Sequence, residues 1–370
     1  MARVNRVAPA VGLAAHIGRG VQRIVTDAAI GRVRSLPRTI GELDATYLSQ
    51  LMGRMVTSTS VISGDAGTSS RARLALTGEG VPDSVFVKMS AETVATRLMG
   101  EMGRLAATET RFYRELSPHL DGLPASYGSA FDPVTGRFVL LLEDLAVYDC
   151  EFPDTLHPIS TDRASLVVEL LARLHGKFWG RIPDWLYSAS ADSASLLTGP
   201  LLKTSARRIA ERTDIPVDRG RFIDENYRAV ATLIDTPPHT VMHGDAHPGN
   251  VYFRDGSAGL LDWQAVRRGH PSRELAYTLV TSMTTEDRQR SERDILDEYR
   301  RALAAAGGPD LDRDELWTRY RQGALYAYVA ALITAGMGGM QDDGIALEGL
   351  RRAVAALEDL DTVAVLRKSL

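Results

Sequence analysis

Between Val56 and Leu142 apolar and polar positions alternate, and from Ser160 onward apolar residues recur at three- and four-residue spacing. The first pattern reads as strands with one buried face and the second as helices with one buried stripe. Val56–Ile62, Arg71–Leu76 and Val85–Lys88 are three candidate strands, with Ala72, Leu74 and Leu76 on one face of the second. Ser63–Ser69 lies between the first two as a loop of small residues. Ala125–Ala130 and Arg137–Leu142 make two more strands around an Asp132–Gly136 turn. Before the strands, Ile40–Gly53 reads as one helix, with Thr39 as its cap and Glu42 completing a capping box. Leu105–Leu116 is a helix with Leu105, Phe112 and Leu116 on its buried face.

Further along, Ser160–Trp179 repeats Ala164, Val167, Leu171 and Leu174 at helical spacing, capped by Ser160 or Thr161. Leu201–Arg212, Arg219–Thr232, Thr285–Ala306, Asp312–Gly336 and Ile345–Leu366 continue the helical pattern, and a helix begins at Ser272. One β signal interrupts it: Val251–Phe253 and Gly259–Leu261 flank Asp255-Gly256, a strong short-range hairpin signal. Val11–Val33 is weakly amphipathic and broken by glycines; it reads as an arm or a packed helix and carries no chemistry. The uncharged run Gln322–Gln341 has the length of a membrane span, but its glycines, glutamines and alanines make it a buried helix instead.

Composition narrows the function classes. The 370 residues suffice for two core-bearing lobes, and 44% apolar with 24% charged residues is ordinary for a globular protein. A net charge of −4 offers no basic field for nucleic acid. The single cysteine, Cys150, excludes an intramolecular disulfide and fits a reducing, cytoplasmic setting. Nothing in the pattern indicates an oligomeric state. Lysine is scarce: Lys88, Lys177, Lys203 and Lys368 are the only four, so a lysine at a strand end next to a small-residue loop stands out.

The chemistry concentrates between Thr240 and Gln264. Asp245 and Asn250 precede the hairpin and Asp262 follows it, so a tight turn should gather three oxygen donors suited to Mg²⁺. Asp245 precedes Asn250 by five positions, the spacing of a kinase catalytic loop in which the Asp is the base and the Asn holds metal. A competing reading takes His243, Asp245 and His247 as the zinc cluster of a metallohydrolase, but it leaves the hairpin and Asp262 unused. In the strand-rich half, Gly64 and Gly67 with the Thr68 and Ser69 hydroxyls could cradle phosphate oxygens, with Lys88 as a point charge beyond them.

His243-Gly244-Asp245-Ala246-His247 with Asn250, followed by Asp262-Trp263-Gln264, resembles the aminoglycoside-phosphotransferase superfamily, in particular its choline- and ecdysteroid-kinase-like branch. The resemblance spans roughly residues 38–365 and implies an α+β, two-lobed, protein-kinase-like fold. Its N-lobe would be an antiparallel sheet with one long helix, its C-lobe mostly helical. The implied division is a basic extension at 1–37, a nucleotide-binding lobe at 38–145, and a lobe at 146–370 bearing the catalytic loop and the acceptor. The implied activity is transfer of the γ-phosphoryl group of ATP, with Mg²⁺, to a hydroxyl of a small molecule, and no nucleic acid or membrane span is involved.

In that scheme Asp245 is the base, and Asn250 and Asp262 hold the metal. Glu109, in a segment similar to the family's Glu-Val-x-Phe-Tyr helix, braces Lys88. Glu143 and Leu145 lie where the family's hinge meets adenine. Glu274 stands where the family usually has Asp before Leu-Ala, which puts the geometry of the catalytic loop in question. A nucleotide-binding protein that has lost catalysis is a further alternative, although no motif residue is missing. Interleaved acids and arginines from Thr285 onward favour a neutral or apolar alcohol, sterol-like or a polyketide, over an aminoglycoside polycation.

Overall fold

A computed structural model describes residues 7–66 and 69–370. The chain divides into two compact units, one of Met1–Cys150 with Leu261–Ala265 and the other of Glu151–Leu260 with Val266–Leu370. The fold is α+β and protein-kinase-like, with an antiparallel sheet in the first unit and a largely helical second unit.

The first unit is built on a five-stranded sheet of β1 (Val56–Ala66), β2 (Ser69–Gly78), β3 (Ser84–Ser90), β4 (Ser126–Phe131) and β5 (Phe138–Glu143) in the order β1-β2-β3-β5-β4. All its pairs are antiparallel. Ala72, Leu74, Leu76, Val85, Val87, Met89, Val139 and Leu141 turn one face into the core, with Leu43 and Leu48 closing it. Before the sheet, the chain does not form the single Ile40–Gly53 helix. Ile40–Glu42 is a 3-10 turn, and α2 (Ala45–Met52) starts at Asp44, whose side chain accepts from Tyr47 N while Thr39 caps nothing. Asp is the stronger cap, and it wins the helix start.

The N-terminal segment is packed helix. α1 (Val7–Ile30) lies on α3 (Val94–Met102), a helix the sequence pattern did not reveal. Asp27 of α1 is buried and takes Arg137 Nε and Arg97 Nη1, each at 2.6 Å. Those cations hold its carboxyl below the usual range although burial pushes the other way.

The second unit stacks α5 (Thr161–Lys177), α6 (Thr198–Arg212), α7 (Arg221–Ile234), α8 (Pro271–Ser282), α9 (Thr285–Ala305), α10 (Arg313–Met337), α11 (Asp343–Asp359) and α12 (Thr362–Ser369). The expected Ile345–Leu366 helix is broken between the last two, where Asp361 has φ of 54°. Every residue of α8 is buried, and it packs closely on α10: a Cβ on Gly323 would stand 2.8 Å from Ser272 O. Two ribbons complete the unit. One pairs β6 (Thr240–Met242) with β9 (Arg267–Gly269), and the other is the hairpin of β7 (Val251–Arg254) and β8 (Ser257–Leu260). Its turn residues Asp255 and Gly256 both have positive φ, 51° and 73°, as a type I′ turn requires. Among the described residues no helix is long and apolar enough to cross a membrane.

Candidate active site

In the first unit the strand alternation of β3 sends Val85, Val87 and Met89 into the core and Lys88 to the opposite face. There it meets α4 (Leu105–Glu115), which presents Glu109 and, one turn on, Phe112. Lys88 Nζ donates to Glu109 at 2.8–2.9 Å and to Asp262 Oδ1 at 2.7 Å, with Gln264 Oε1 at 3.4 Å. Asp262 is fixed from behind: Trp263 stacks flat on Phe112, centroids 4.2 Å apart and planes within 7°. The Asp262 backbone has φ of 57°, a left-handed conformation that Asp tolerates better than most residues. Residues 88, 109 and 262 thus share one helix-and-indole mounting.

The electrostatics are those of one ammonium between two carboxylates. Burial opposes the charge on Lys88, but Asp262 and Glu109 outweigh it and hold its pKa above the ordinary value. Burial lifts the Glu109 carboxyl to about 7, the neighbouring Asp262 charge adding to it and Lys88 working against it.

Of the remaining residues expected near the nucleotide, Gly64 and Ser69 are placed differently from the sequence pattern. Gly64 is not in a loop; it sits within β1 opposite Ala72. Ser69 opens β2 opposite Ser90 and is buried, lining a cavity of about 40 Å³ with Ser90, Glu109 and Gln264. The strands run in to Ala66 and out from Ser69: pairing with Ser70–Arg73 keeps Ser63–Ala66 extended although Gly, Asp and Ala are poor strand formers. Gly67 and Thr68 lie outside the described residues. Glu143 ends β5 and its Oε2 accepts Ala125 N at 3.1 Å. Leu145 is buried in a 3-10 turn capped by Asp144, whose carboxylate also takes Arg73 and Ser84.

In the second unit the loop after β6 turns at Gly244, φ 85°, into Asp245. Asp245 Oδ1 accepts the Tyr277 hydroxyl at 2.9 Å. Asn250 Nδ2 donates to Asp245 O at 2.9 Å and approaches Asp245 Oδ2 at 3.4 Å. His243 Nδ1 accepts Asp245 N and His247 Nδ1 accepts Gly249 N, at 3.3 and 3.1 Å. Both histidines thereby brace the loop. Among the described residues, no group of three or more His, Cys, Asp or Glu is arranged to hold a metal.

Glu274 holds the loop from beneath. Its carboxylate, 2% exposed, accepts His243 N at 3.1 Å, Gly244 N at 2.5 Å and His175 Nε2 at 2.9 Å, and His175 Nδ1 lies 2.9 Å from the Tyr299 hydroxyl. Burial alone would raise the Glu274 carboxyl; the His175 bond and the Gly244 N–H outweigh it and keep it below its ordinary value. The extra methylene relative to Asp is accommodated, and His175 is a hydrogen-bonding residue as well as a packing one.

These arrangements frame the comparison with known proteins. The sequence model of the phosphotransferase enzyme family matches residues 66–321. The chain belongs to that family. It is an enzyme, a small-molecule kinase acting on hydroxyl groups. Comparison with curated proteins gives no match. Among solved structures, a protein of Ralstonia eutropha JMP134 provisionally called an aminoglycoside phosphotransferase is 14% identical with a TM-score of 0.55, covering 88% of this chain and 97% of that one. Choline kinase of Cryptosporidium parvum Iowa II is 10% identical, TM-score 0.51, over 93% and 95%. A mutant aminoglycoside 2′-phosphotransferase of type IIIa in its GDP complex is 13% identical, TM-score 0.51, over 82% and 91%. At such identities the similarity speaks to fold.

Sequence reading of this phosphotransferase overlooked Tyr277 and Tyr326. Tyr277 follows Glu274 by three positions on α8, so helical period alone puts both on one face toward the loop. Tyr326, whose hydroxyl donates to Gly244 O at 3.1 Å, comes from the distant α10, and no local signal marks it.

Proposed function

We propose that this phosphotransferase moves the γ-phosphoryl group of ATP to the hydroxyl of a small-molecule acceptor, with Asp245 as base. The observation that carries the nucleotide half is the Lys88–Glu109–Asp262 cluster, three segments converging on one buried ammonium. Phosphoryl transfer asks for positioning and charge neutralisation more than covalent chemistry. Lys88, steadied by Glu109, supplies a fixed cation for the α- and β-phosphates. The backbone around Gly64, Gly67, Thr68 and Ser69 is assigned to covering the phosphates, and the chain at Glu143 and Leu145 to the adenine.

Mg²⁺ is assigned to Asn250 and Asp262. Both are oxygen donors, as that ion requires. The Asn250 amide nitrogen is committed to Asp245 O, which leaves its carbonyl oxygen as the ligand atom. When bound, the ion would neutralise and orient phosphate oxygens. On the acceptor side, Tyr277 occupies Asp245 Oδ1, so Oδ2 is the atom left to take the hydroxyl proton. Burial and the adjacent Asp245 push the Tyr277 hydroxyl well above its ordinary pKa, which keeps it a donor.

The test is ATP turnover with Mg²⁺ against a broad panel of alcohols. Asp245→Asn should lower kcat roughly 100- to 10,000-fold while nucleotide binding persists. Turnover that survives the substitution would remove Asp245 from its role.

A further inference from the structure

Arg273, in the first turn of α8, has surroundings that the roles above leave unused. The residue is 4% exposed, yet no carboxylate pairs with its guanidinium among the described residues. Two phenols stand against it: the guanidinium lies 3.8 Å from the centroid of the Tyr326 ring, and its charge is felt by the Tyr227 hydroxyl. A ring face attracts a cation but does not neutralise it, and a buried charge without a counterion is costly to keep.

Its neighbours connect it to the base. The Tyr326 hydroxyl donates to Gly244 O, next to Asp245, and Tyr277 on the same helix as Arg273 holds Asp245 Oδ1. A second guanidinium stands in this region. Burial works against the charge of Arg267, but Tyr326, Tyr187 and Asp245 outweigh it and hold its pKa above the ordinary value. Glu274, the nearest other acid in sequence, spends its carboxylate on His175, His243 N and Gly244 N. The surroundings of Asp245 in this unit thus contain two guanidiniums and several phenols. A polycation would meet repulsion there.

We infer that Arg273 recognises the acceptor, and that the alcohol phosphorylated by this enzyme carries an anionic oxygen group, a carboxylate or a phosphate monoester, which pairs with the Arg273 guanidinium. The inference rests on the kinase reading and replaces the neutral or apolar alcohol suggested by composition. A planar guanidinium offers two parallel N–H donors to such a group, and Tyr227 adds a hydroxyl.

Ligand-observed NMR titration with glycerate, glycerol phosphate, glycerol and choline tests it, with ADP and Mg²⁺ saturating so that Lys88 is occupied. One of the two anions should bind at least about tenfold more tightly than glycerol or choline, and which one decides between carboxylate and phosphate. Arg273→Met should weaken that anion roughly 10- to 100-fold, with Arg273→Lys between the two because it keeps charge but loses the fork. Equal or better binding of glycerol or choline, no binding of any probe, or an anion preference that survives Arg273→Met overturns the inference. Anion binding through Arg273 without Asp245-dependent turnover would instead sink the assignment of Asp245 as base. Asp245-dependent turnover without anion preference would sink only the Arg273 inference.

Discussion

Lys88 and Asp245 are the central charges of the two units, and they are held in opposite ways. Lys88 is met by charge: Glu109 and Asp262 both reach its ammonium within 3 Å. The short hydrogen bonds described for Asp245 come from neutral groups, a phenol on Oδ1 and an amide beside Oδ2, with His247 Nε2 4.0 Å from Oδ2 and the Arg267 charge nearby. The ionic support of the second site is set one layer back, in Glu274 and His175. An ion-paired carboxylate is a poorer proton acceptor, and a cation awaiting phosphates needs counterions while it waits. The contrast follows from what each charge is proposed to do. It also means that the first unit should break abruptly on losing a charge, while the second should lose activity before stability.

The largest effect is expected from Lys88→Met. It removes the ammonium that Glu109 and Asp262 share, at a site where the Lys88 side chain is 6% exposed. Breaking a buried pair from one side costs about 3–5 kcal/mol, readable as a shift in denaturant midpoint. Adding Glu109→Gln should recover part of that loss, since one of the two carboxylates that shared the ammonium is gone. A Lys88→Met protein as stable as the parent would mean that the cluster is not held by charge.

Next comes Glu274→Gln. The carboxylate takes three donors, and an amide offers one oxygen and turns an N–H₂ toward the rest, so at least one buried donor goes unpaired at about 1–3 kcal/mol. If the loop and not the fold depends on Glu274, kcat should fall roughly tenfold or more while KM for the nucleotide holds. Equal losses in stability and in nucleotide affinity would erase the contrast between the units.

How much of this was legible beforehand tracks how local each contact is. Asp255-Gly256 announced its hairpin because a type I′ turn needs positive φ at two adjacent positions, and only a few residues supply it. The strand face of Lys88 followed from alternation, and its pairing with Glu109 from a resemblance. That Asp262 would also bind Lys88 was not foreseen, because it depends on Trp263 stacking on Phe112 across some 150 positions of chain. Val11–Val33 reads as either an arm or a packed helix because its glycines weaken the pattern; it is a packed helix, tied by Asp27 to Arg38, Arg97 and Arg137. Arg273 looked like one charge among many in an arginine-rich chain. That no carboxylate pairs with it among the described residues shows only in three dimensions.

The most gradual effect is one of pH, and it should have opposite sign in the two units. His270 caps α8, its Nδ1 accepting Ser272 N at 3.2 Å, and burial lowers its pKa from 6.5 to about 3. The unfolded chain therefore binds the proton first, so this contribution is complete above pH 6.5 and is lost as pH falls toward 3. Glu109 runs the other way. Its pKa is raised from 4.5 to about 7, so the folded state binds the extra proton, and its contribution is complete below pH 4.5 and lost as pH rises through 7. Each group tilts stability by at most about 1.4 kcal/mol per pH unit inside its window. Denaturant titrations between pH 4.5 and 6.5, where both windows overlap, separate them by subtraction. His270→Asn keeps a cap acceptor without a titrating proton and should remove a slope that favours higher pH, whereas Glu109→Gln should remove one that favours lower pH. Two variants that change the slope in the same direction would show that one of these burials is not what sets the proton's place.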